Sequence, residues 1–416
     1  MINYFRKIRK SNFIILAISV IIYLANTMFT TISVPAAATI QNGDGNKFVG
    51  SAVCATCHKD IYESHIKTAH YRDSRPAARE FIKGNFSSGK NKFVYNKWME
   101  VEMEQKNDSF FQTGFVNGIE YQREPFDIVI GSGRKGQTYL YWNENKLYEL
   151  PVSYYTPLNS WCISPGYSPN FINFDRIIPA NCLECHGTYA KTDGDSDNPT
   201  TFDKNQILYG IDCERCHGAA ADHVAFQKEH PEEKTAKYII STKPLDRQLR
   251  LDGCALCHSG FRKMIRPAFS FTVGNKLDDY STATYSSDSA STLDVHGNQY
   301  GLLIASKCFK MSNQLDCSSC HNVHVNEANS PEIFSQRCIT CHTETKHATL
   351  QIRADRKVMF NKNCIDCHMP MLPSKKIVLN VADFENVVPD MVRTHRVGIY
   401  PEKTKEFLQK IKSQKE

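Results

Sequence analysis

Seven copies of the five-residue pattern Cys-x-x-Cys-His constrain this chain more than any other feature, and they use fourteen of its sixteen cysteines. Two thiols at this spacing can bond the two vinyl groups of one porphyrin, and the adjacent imidazole then becomes the proximal ligand of the iron. A zinc knuckle or a thioredoxin-like redox pair explains one Cys-x-x-Cys, but neither explains a His at the fifth place in every copy. The sequence therefore predicts seven covalent haem c groups. The attachment cysteines are Cys54, Cys57, Cys182, Cys185, Cys213, Cys216, Cys254, Cys257, Cys317, Cys320, Cys338, Cys341, Cys364 and Cys367, and the proximal histidines are His58, His186, His217, His258, His321, His342 and His368.

The N-terminal segment has the layout of a secretory signal peptide. Basic residues between Arg6 and Lys10 precede an apolar run over 13–24, and small residues follow at 36–38. We expect cleavage after Ala38, which makes 1–38 a signal peptide; the alternative is an uncleaved membrane anchor extending to Phe29. Export agrees with covalent haem attachment, so the sequence predicts a periplasmic protein that is soluble or N-terminally anchored.

Net charge gives no support for a nucleic-acid partner. Four of the basic residues behind the formal charge of +6 lie in the presumed signal segment. Two propionates on each haem then make the mature, loaded protein negative. We therefore expect redox proteins as partners, no nucleic acid, and contact with a membrane only if the N-terminal segment is retained. The sequence does not indicate an oligomeric state.

The spacing of the motifs divides the chain unequally. Only roughly 50 residues serve each haem after residue 38, so the haems must share a core. The first two motifs are much further apart than any other neighbours, and the intervening segment alternates apolar and polar residues around an Asn117-Gly118 turn. We predict a first haem module at 39–91, an antiparallel β insertion at 92–160, a six-haem domain at 161–400 and a charged C-terminal tail at 401–416.

One motif inside the β insertion resembles a dinucleotide-binding loop. Gly131–Gly136 reads G-x-G-x-x-G, but the residues after it have a strand pattern where the fingerprint requires a helix. A hairpin loop is the better interpretation. Arg134 and Lys135 at its tip are then exposed charges or face haem propionates.

The function of each haem depends on its sixth iron ligand. A second His gives a low-spin electron-transfer centre, whereas an open position allows a small molecule to bind. Eight histidines lie outside the motifs, and the charged run around His230 indicates a surface residue. Of His65 and His70 only one is needed. His223, His324 and His347 follow a proximal His so closely that each would have to ligate a different haem. His296 and His395 are reasonable distal ligands, with surface positions as the alternative.

Three other residues bear on the sixth ligand or on the redox state of the thiols. Six good distal histidines for seven irons leave one iron without a second ligand. Among the methionines, Met311 is the most plausible residue to fill that position, although core packing is the commoner role of Met. Cys162 and Cys308 fall outside the motifs. In an oxidising compartment they either pair or stay as buried thiols.

The sequence around the haems resembles the multihaem cytochromes of the cytochrome c-554 and hydroxylamine oxidoreductase-like superfamily. The matching elements are Cys54–His58 with Thr68–His70 and Ser74–Pro76, Cys213–Gly218 with His223, Cys317–His324, and Cys364–Pro370 with Arg393–His395. The resemblance implies stacked haem pairs and a mainly α, irregular multihaem cytochrome c fold with a small antiparallel β insertion. It also favours His70 over His65 as a distal ligand. Because no motif has Lys in place of His, a nitrite reductase with a lysine-ligated haem is disfavoured.

The sequence favours an electron carrier over a multihaem oxidoreductase, because nearly every iron can be given a second His. The leading hypothesis is a periplasmic seven-haem c-type cytochrome that transfers electrons between redox partners. The alternative is a reductase or oxidase of a small nitrogen or sulfur compound, such as nitrite, hydroxylamine or tetrathionate, at one five-coordinate haem. A haem-bearing structural or conductive subunit is a third possibility.

Overall fold

The computed structural model describes residues 40–42, 45–194, 196, 198–284, 292–344 and 362–413, with side chains up to residue 409. The predicted signal segment 1–38 and His347 lie outside the described residues. The strands are β1 (Ile40–Gln41), β2 (Lys47–Phe48), β3 (Ser74–Pro76), β4 (Lys92–Asn96), β5 (Met99–Lys106), β6 (Ser109–Val116), β7 (Ile119–Pro125), β8 (Ile128–Ile130), β9 (Gly136–Asn143), β10 (Lys146–Glu149), β11 (Val152–Tyr155), β12 (Ser160–Ile163), β13 (Arg176–Ile177), β14 (Gly187–Asp193), β15 (Thr201–Tyr209), β16 (Arg262–Met264), β17 (Ser281–Ala283), β18 (Met371–Leu379) and β19 (Val388–Arg393).

The helices are short, and most of them carry or flank an attachment motif. The α-helices are α1 (Ser51–Cys54), α2 (Lys59–His65), α3 (Ala180–His186), α4 (Cys213–His217), α5 (Ala221–Glu229), α6 (Arg247–His258), α7 (Gln299–Ile304), α8 (Lys307–Met311), α9 (Pro331–Cys341), α10 (Cys364–His368) and α11 (Pro401–Ser413). Single 3-10 turns occur at Thr156–Leu158, Leu277–Asp279 and Cys317–Ser319. Among the described residues, no helix is long and apolar enough to cross a membrane.

The prediction of a mainly α fold is wrong. The described residues are 26% helix and 29% strand, and the largest element that they form is a nine-stranded antiparallel sheet. Six of its strands follow the order β12-β11-β9-β10-β15-β14. The other three lie off this path: β8 pairs with β9, β3 pairs with β8, and β13 pairs with β10. The strands therefore extend on both sides of the predicted insertion at 92–160. Strands β14 and β15 were missed because they lie between the second and third motifs, in the part expected to be helical.

A separate four-stranded meander, β4-β5-β6-β7, packs against the large sheet. Alternation along β5 turns Val101 and Met103 inward, where they share one apolar core with Tyr139 and Trp161 of the large sheet. The Asn117-Gly118 turn between β6 and β7 is confirmed; both residues have positive φ, as the tight hairpin turn requires. Burial of this core between two sheets gives the haem-free part its own stability.

The Gly131–Gly136 loop joins two antiparallel strands, β8 and β9, so the hairpin interpretation is confirmed and the dinucleotide alternative is excluded. Lys135 on this loop reaches the C-terminal hairpin, where its ammonium lies 3.0 Å from a carboxylate oxygen of Asp390. Arg134 and Lys135 are both exposed, as expected, and Lys135 in addition forms an ion pair with a buried acid.

The C-terminal hairpin β18-β19 lies along the edge of the large sheet. The Ile163 N–H donates to the carbonyl of Asn380 at 2.9 Å, and the Ala382 N–H donates to the carbonyl of Trp161 at 2.8 Å. The hairpin thereby covers the β12 edge, which would otherwise present unpaired backbone groups. It also carries Asp390 to the end of β11, where the Tyr155 hydroxyl donates to it at 2.9 Å.

Candidate functional site

Each attachment motif is built on a tight helical turn. The His58 N–H donates to the carbonyl of Cys54 at 2.8 Å, and the His321 N–H donates to that of Cys317 at 2.9 Å. A turn closed in this way brings residues i, i+3 and i+4 to one side. The two thiols and the imidazole of a motif therefore approach a common porphyrin, which is the arrangement that covalent attachment needs. We number the haem sites 1 to 7 in chain order.

Four contacts between cysteines of different motifs bring haem sites together. The contacting thiol pairs are Cys54 with Cys213, Cys185 with Cys257, Cys254 with Cys317, and Cys338 with Cys364. Sites 1 and 3, 2 and 4, 4 and 5, and 6 and 7 are therefore immediate neighbours. None of the sixteen cysteines, all of which lie in described residues, forms a disulfide.

Three proximal imidazoles each face a second imidazole from a remote part of the chain. The ring-centroid separations are 6.0 Å for His258 with His70, 6.2 Å for His217 with His324, and 6.2 Å for His321 with His395. The ring planes meet at 72°, 13° and 25° respectively. In each pair, one member belongs to an attachment motif and the other is a histidine predicted to be a distal ligand.

This spacing matches two imidazoles on opposite sides of one iron. An imidazole nitrogen binds a first-row metal at about 2 Å. Bond lengths of about 1.33 Å in the ring put its centroid about 1.2 Å behind that nitrogen. The two centroids of a bis-imidazole iron are therefore about 6.4 Å apart, close to the separations found here. Sites 3, 4 and 5 thus fit haems with two His ligands.

The local environment keeps these imidazoles in the state that binds a metal. Burial, followed by the neighbouring imidazole of His258, lowers the pKa of His70 to about 4. Burial and the neighbouring His321 likewise lower the pKa of His395 to about 4. Burial also lowers the pKa of His324. All three rings are therefore neutral at pH 7, as iron ligation requires.

Hydrogen bonds at Nδ1 orient several of the rings. The Nδ1 of His217 lies 2.8 Å from the carbonyl oxygen of Ile240, and that of His368 lies 2.8 Å from the carbonyl oxygen of Gly398. A carbonyl accepts only from a protonated Nδ1, so the lone pair is on Nε2. Such outer hydrogen bonds fix both the tautomer and the direction of the ring.

The thiol and imidazole contacts join the seven sites into one connected set. His70 follows site 1 and pairs at site 4, while His324 follows site 5 and pairs at site 3. His395, which pairs at site 5, lies next to site 7, because the Gly398 N–H donates to the His368 carbonyl at 3.0 Å. Together with the thiol contacts, these links connect every site to the others.

His65 is buried, with 7% of its surface exposed, and lies 6.2 Å from the His324 ring. Its Nε2 is 3.2 Å from the carbonyl oxygen of Ile211 and 3.6 Å from a carboxylate oxygen of Asp212. Because these contacts occupy Nε2, the geometry favours His70 rather than His65 as the ligand supplied by this segment.

The structure does not pair the remaining distal candidates with a proximal His. His223 on α5 directs Nδ1 to the carbonyl of Lys237 at 2.8 Å, and His296 directs Nδ1 to Asp390 at 3.3 Å. Their roles as ligands stay predictions, as does that of His347, which lies outside the described residues. His230 is exposed, as expected of a surface residue.

Met311 and the two spare cysteines have separate environments. Met311 is 78% exposed, so it is not a core residue. Cys162 is buried beside Tyr155 and Val381, and burial raises the pKa of its thiol to about 12. Cys308 lies on α8, apart from Cys162, so these two residues do not form a disulfide.

Two carboxylates near histidines were not found from the sequence. Asp73 lies 2.8 Å from Nδ1 of the proximal His186, and Asp390 lies 3.3 Å from Nδ1 of His296. These partners are 113 and 94 residues apart along the chain. No local pattern marks either acid, because only the tertiary fold brings it to its histidine.

Comparison with known proteins supports the cytochrome assignment. The sequence model of the family described as cytochrome c554 and c-prime matches residues 173–218, which contain the motifs of sites 2 and 3. The fold is similar to that in the crystal structure of outer cell wall cytochrome OcwA, with a TM-score of 0.52 and 15% identity over 86% of this chain and 81% of that chain. No curated protein matches the sequence.

Proposed function

We propose that this chain, which is a multihaem c-type cytochrome, transfers electrons between redox partner proteins through seven covalent haems. The observation that carries the proposal is the set of three imidazole pairs at 6.0–6.2 Å. Two His ligands leave no iron position for a substrate, so these sites can only accept and donate electrons. The chain supplies thiols, ligands and a shared enclosure, while the bound haems supply the redox change.

The contacts between sites support transfer through the whole set. Neighbouring attachment thiols touch at four places, and three distal histidines come from a segment next to a different site. Cross-ligation of this kind fixes each haem relative to its neighbours. Electrons that enter at any one site therefore have a path to every other.

We further infer that the protein works outside the cytoplasm, in the periplasm. The basic and apolar N-terminal segment supports export, as does the general requirement for covalent haem attachment on the outer side of the inner membrane. The structurally similar OcwA is described as an outer cell wall cytochrome. A retained N-terminal segment would hold the same haem assembly at the membrane.

Mass spectrometry and low-temperature EPR of the purified, haem-loaded protein test this proposal together. We expect seven haem additions and a spectrum dominated by low-spin ferric iron. Fewer than seven additions would remove the basis for a seven-haem path. A majority of high-spin haem would contradict ligation by two histidines.

A second candidate function is reduction of a small nitrogen or sulfur compound at one open haem. Within the described residues, no second imidazole faces His58, His186 or His342 at the iron-ligand spacing. We expect nitrite, hydroxylamine or cyanide to perturb the spectrum of one haem if this function exists. A protein that remains fully low-spin and does not respond to any of the three is an electron carrier alone.

A further inference from the structure

The hydrogen-bond partner of the Nδ1 atom on the proximal imidazole differs between haem sites. At sites 3 and 7 the Nδ1 atoms of His217 and His368 meet neutral backbone carbonyls, and at site 4 His258 lies 3.4 Å from the neutral amide oxygen of Gln299. At site 2 the Nδ1 of His186 instead lies 2.8 Å from a carboxylate oxygen of Asp73. Among proximal histidines with a described Nδ1 partner, His186 alone faces a charged group.

Asp73 is held in place by its backbone. Its N–H donates to the carbonyl of His70 at 3.1 Å, and its carbonyl accepts from the Gly131 N–H at 2.5 Å. It immediately precedes β3, which pairs with β8 of the large sheet. The carboxylate is therefore fixed from both sides, by the segment that carries His70 and by the sheet.

The Asp73 charge is available to His186. No Lys or Arg forms an ion pair with this carboxylate in the part of the chain that the structure describes. Asp390, the carboxylate beside Nδ1 of His296, is different, because it also accepts from Lys135 at 3.0 Å and from Tyr155 at 2.9 Å. These two donors partly neutralise the Asp390 carboxylate, so it is a weaker hydrogen-bond acceptor for His296.

We propose that Asp73 is a positioning residue that gives the iron ligand at site 2 imidazolate character and so lowers the reduction potential of that haem below those of sites 3, 4 and 7. A carboxylate that accepts the Nδ1 proton makes the imidazole a stronger donor through Nε2. The stronger donor stabilises ferric over ferrous iron, so the one-electron reduction of this haem becomes less favourable. This inference rests on the proposed function, since it presupposes a haem at site 2.

The change at site 2 is a shift of the Nδ1 hydrogen along an existing hydrogen bond, in which the ring nitrogen and the carboxylate oxygen lie 2.8 Å apart. Reduction of the iron adds one electron and breaks no bond.

Spectroelectrochemical titration of the haem-loaded protein tests the inference. Asp73→Asn keeps an oxygen that can accept from Nδ1 but removes the charge. We expect one of the seven one-electron components, at the low-potential end, to move to higher potential by more than any of the other six. Asp73→Glu restores the charge and should return that component toward its native position.

Asp390→Asn is the matched control, because it removes a carboxylate that also faces an imidazole but is already engaged by Lys135 and Tyr155. We expect it to shift the titration less than Asp73→Asn does. The inference is overturned if Asp73→Asn leaves all seven components unmoved, or moves them all equally. If either result is found while all seven haems are attached and their spin states are unchanged, only this inference fails and the electron-transfer proposal stands. If haems are missing, the electron-transfer proposal itself fails.

Discussion

Replacement of His70 by Ala tests whether the imidazole pairs of this structure are iron-ligand pairs. The ring of His70 lies 6.0 Å from that of His258, across the space that one iron and its two nitrogen bonds would fill. Alanine leaves the proximal ligand in place and removes the distal one. The iron at site 4 would then take water or remain five-coordinate, and either state is high-spin.

The size of the effect follows from the number of sites. One haem in seven loses its second His, so about one-seventh of the total ferric haem should change from low spin to high spin. Low-temperature EPR with spin quantitation measures this fraction directly. Added imidazole should occupy the vacated position and restore the low-spin signal, which separates loss of a ligand from partial unfolding.

His65→Ala is the matched control, because His65 lies five residues earlier in the same segment and is also buried. Its Nε2 contacts the carbonyl of Ile211, so its loss should leave the high-spin fraction unchanged from that of the native protein. The reasoning is refuted if His65→Ala produces the high-spin fraction and His70→Ala does not. In that case the segment would ligate iron through the residue that the structure places against a carbonyl.

Two further predictions concern ion pairs that hold the fold around the haems. Lys135→Met leaves the buried Asp390 without its cation and should lower the free energy of unfolding by about 1–3 kcal/mol in denaturant titrations, whereas Arg134→Ala on the same loop should change it little. The hydrogen bond from Arg337 holds the pKa of Glu327 below its usual value, so this pair stabilises the fold above about pH 4.3, and its contribution is lost as the pH falls through the lowered pKa. Glu327→Gln should therefore be less stable than the native protein at pH 7, and the difference should shrink as the pH falls below about 4.3; a difference that stays constant on acidification would contradict the ion-pair account.

The sequence was most informative where structure and chemistry are local. A haem attachment motif needs only five consecutive residues, and the Asn117-Gly118 hairpin needs only a turn with positive φ between two alternating strands. The strand pattern that follows Gly131–Gly136 was likewise enough to disfavour a dinucleotide loop, because that loop requires a helix at the same place. Each of these features depends on neighbours within a few positions, so a single sequence contains the necessary information.

Secondary structure between the motifs was predicted less well. The segment 161–400 was expected to be a mainly α, irregular six-haem domain, but β14 and β15 pair there and join the nine-stranded sheet. Their residues alternate weakly, and the pairing between Thr192 and Phe202 depends on a sheet edge supplied by β10. Strand formation is set by such partners more than by local preference, which is why the resemblance to α-rich cytochromes misled the fold prediction.

The sequence by itself predicted seven haem attachments, the position of each and the His on the proximal side of each iron. Only the tertiary structure decided which distal imidazole faces which site, that His65 turns to a carbonyl, and that Asp73 meets His186. The physical reason is distance along the chain. Thioether attachment is fixed by covalent spacing within one turn of helix, whereas the second ligand and its electrostatic partners come from segments that meet only when the sheets and the shared haem core are packed.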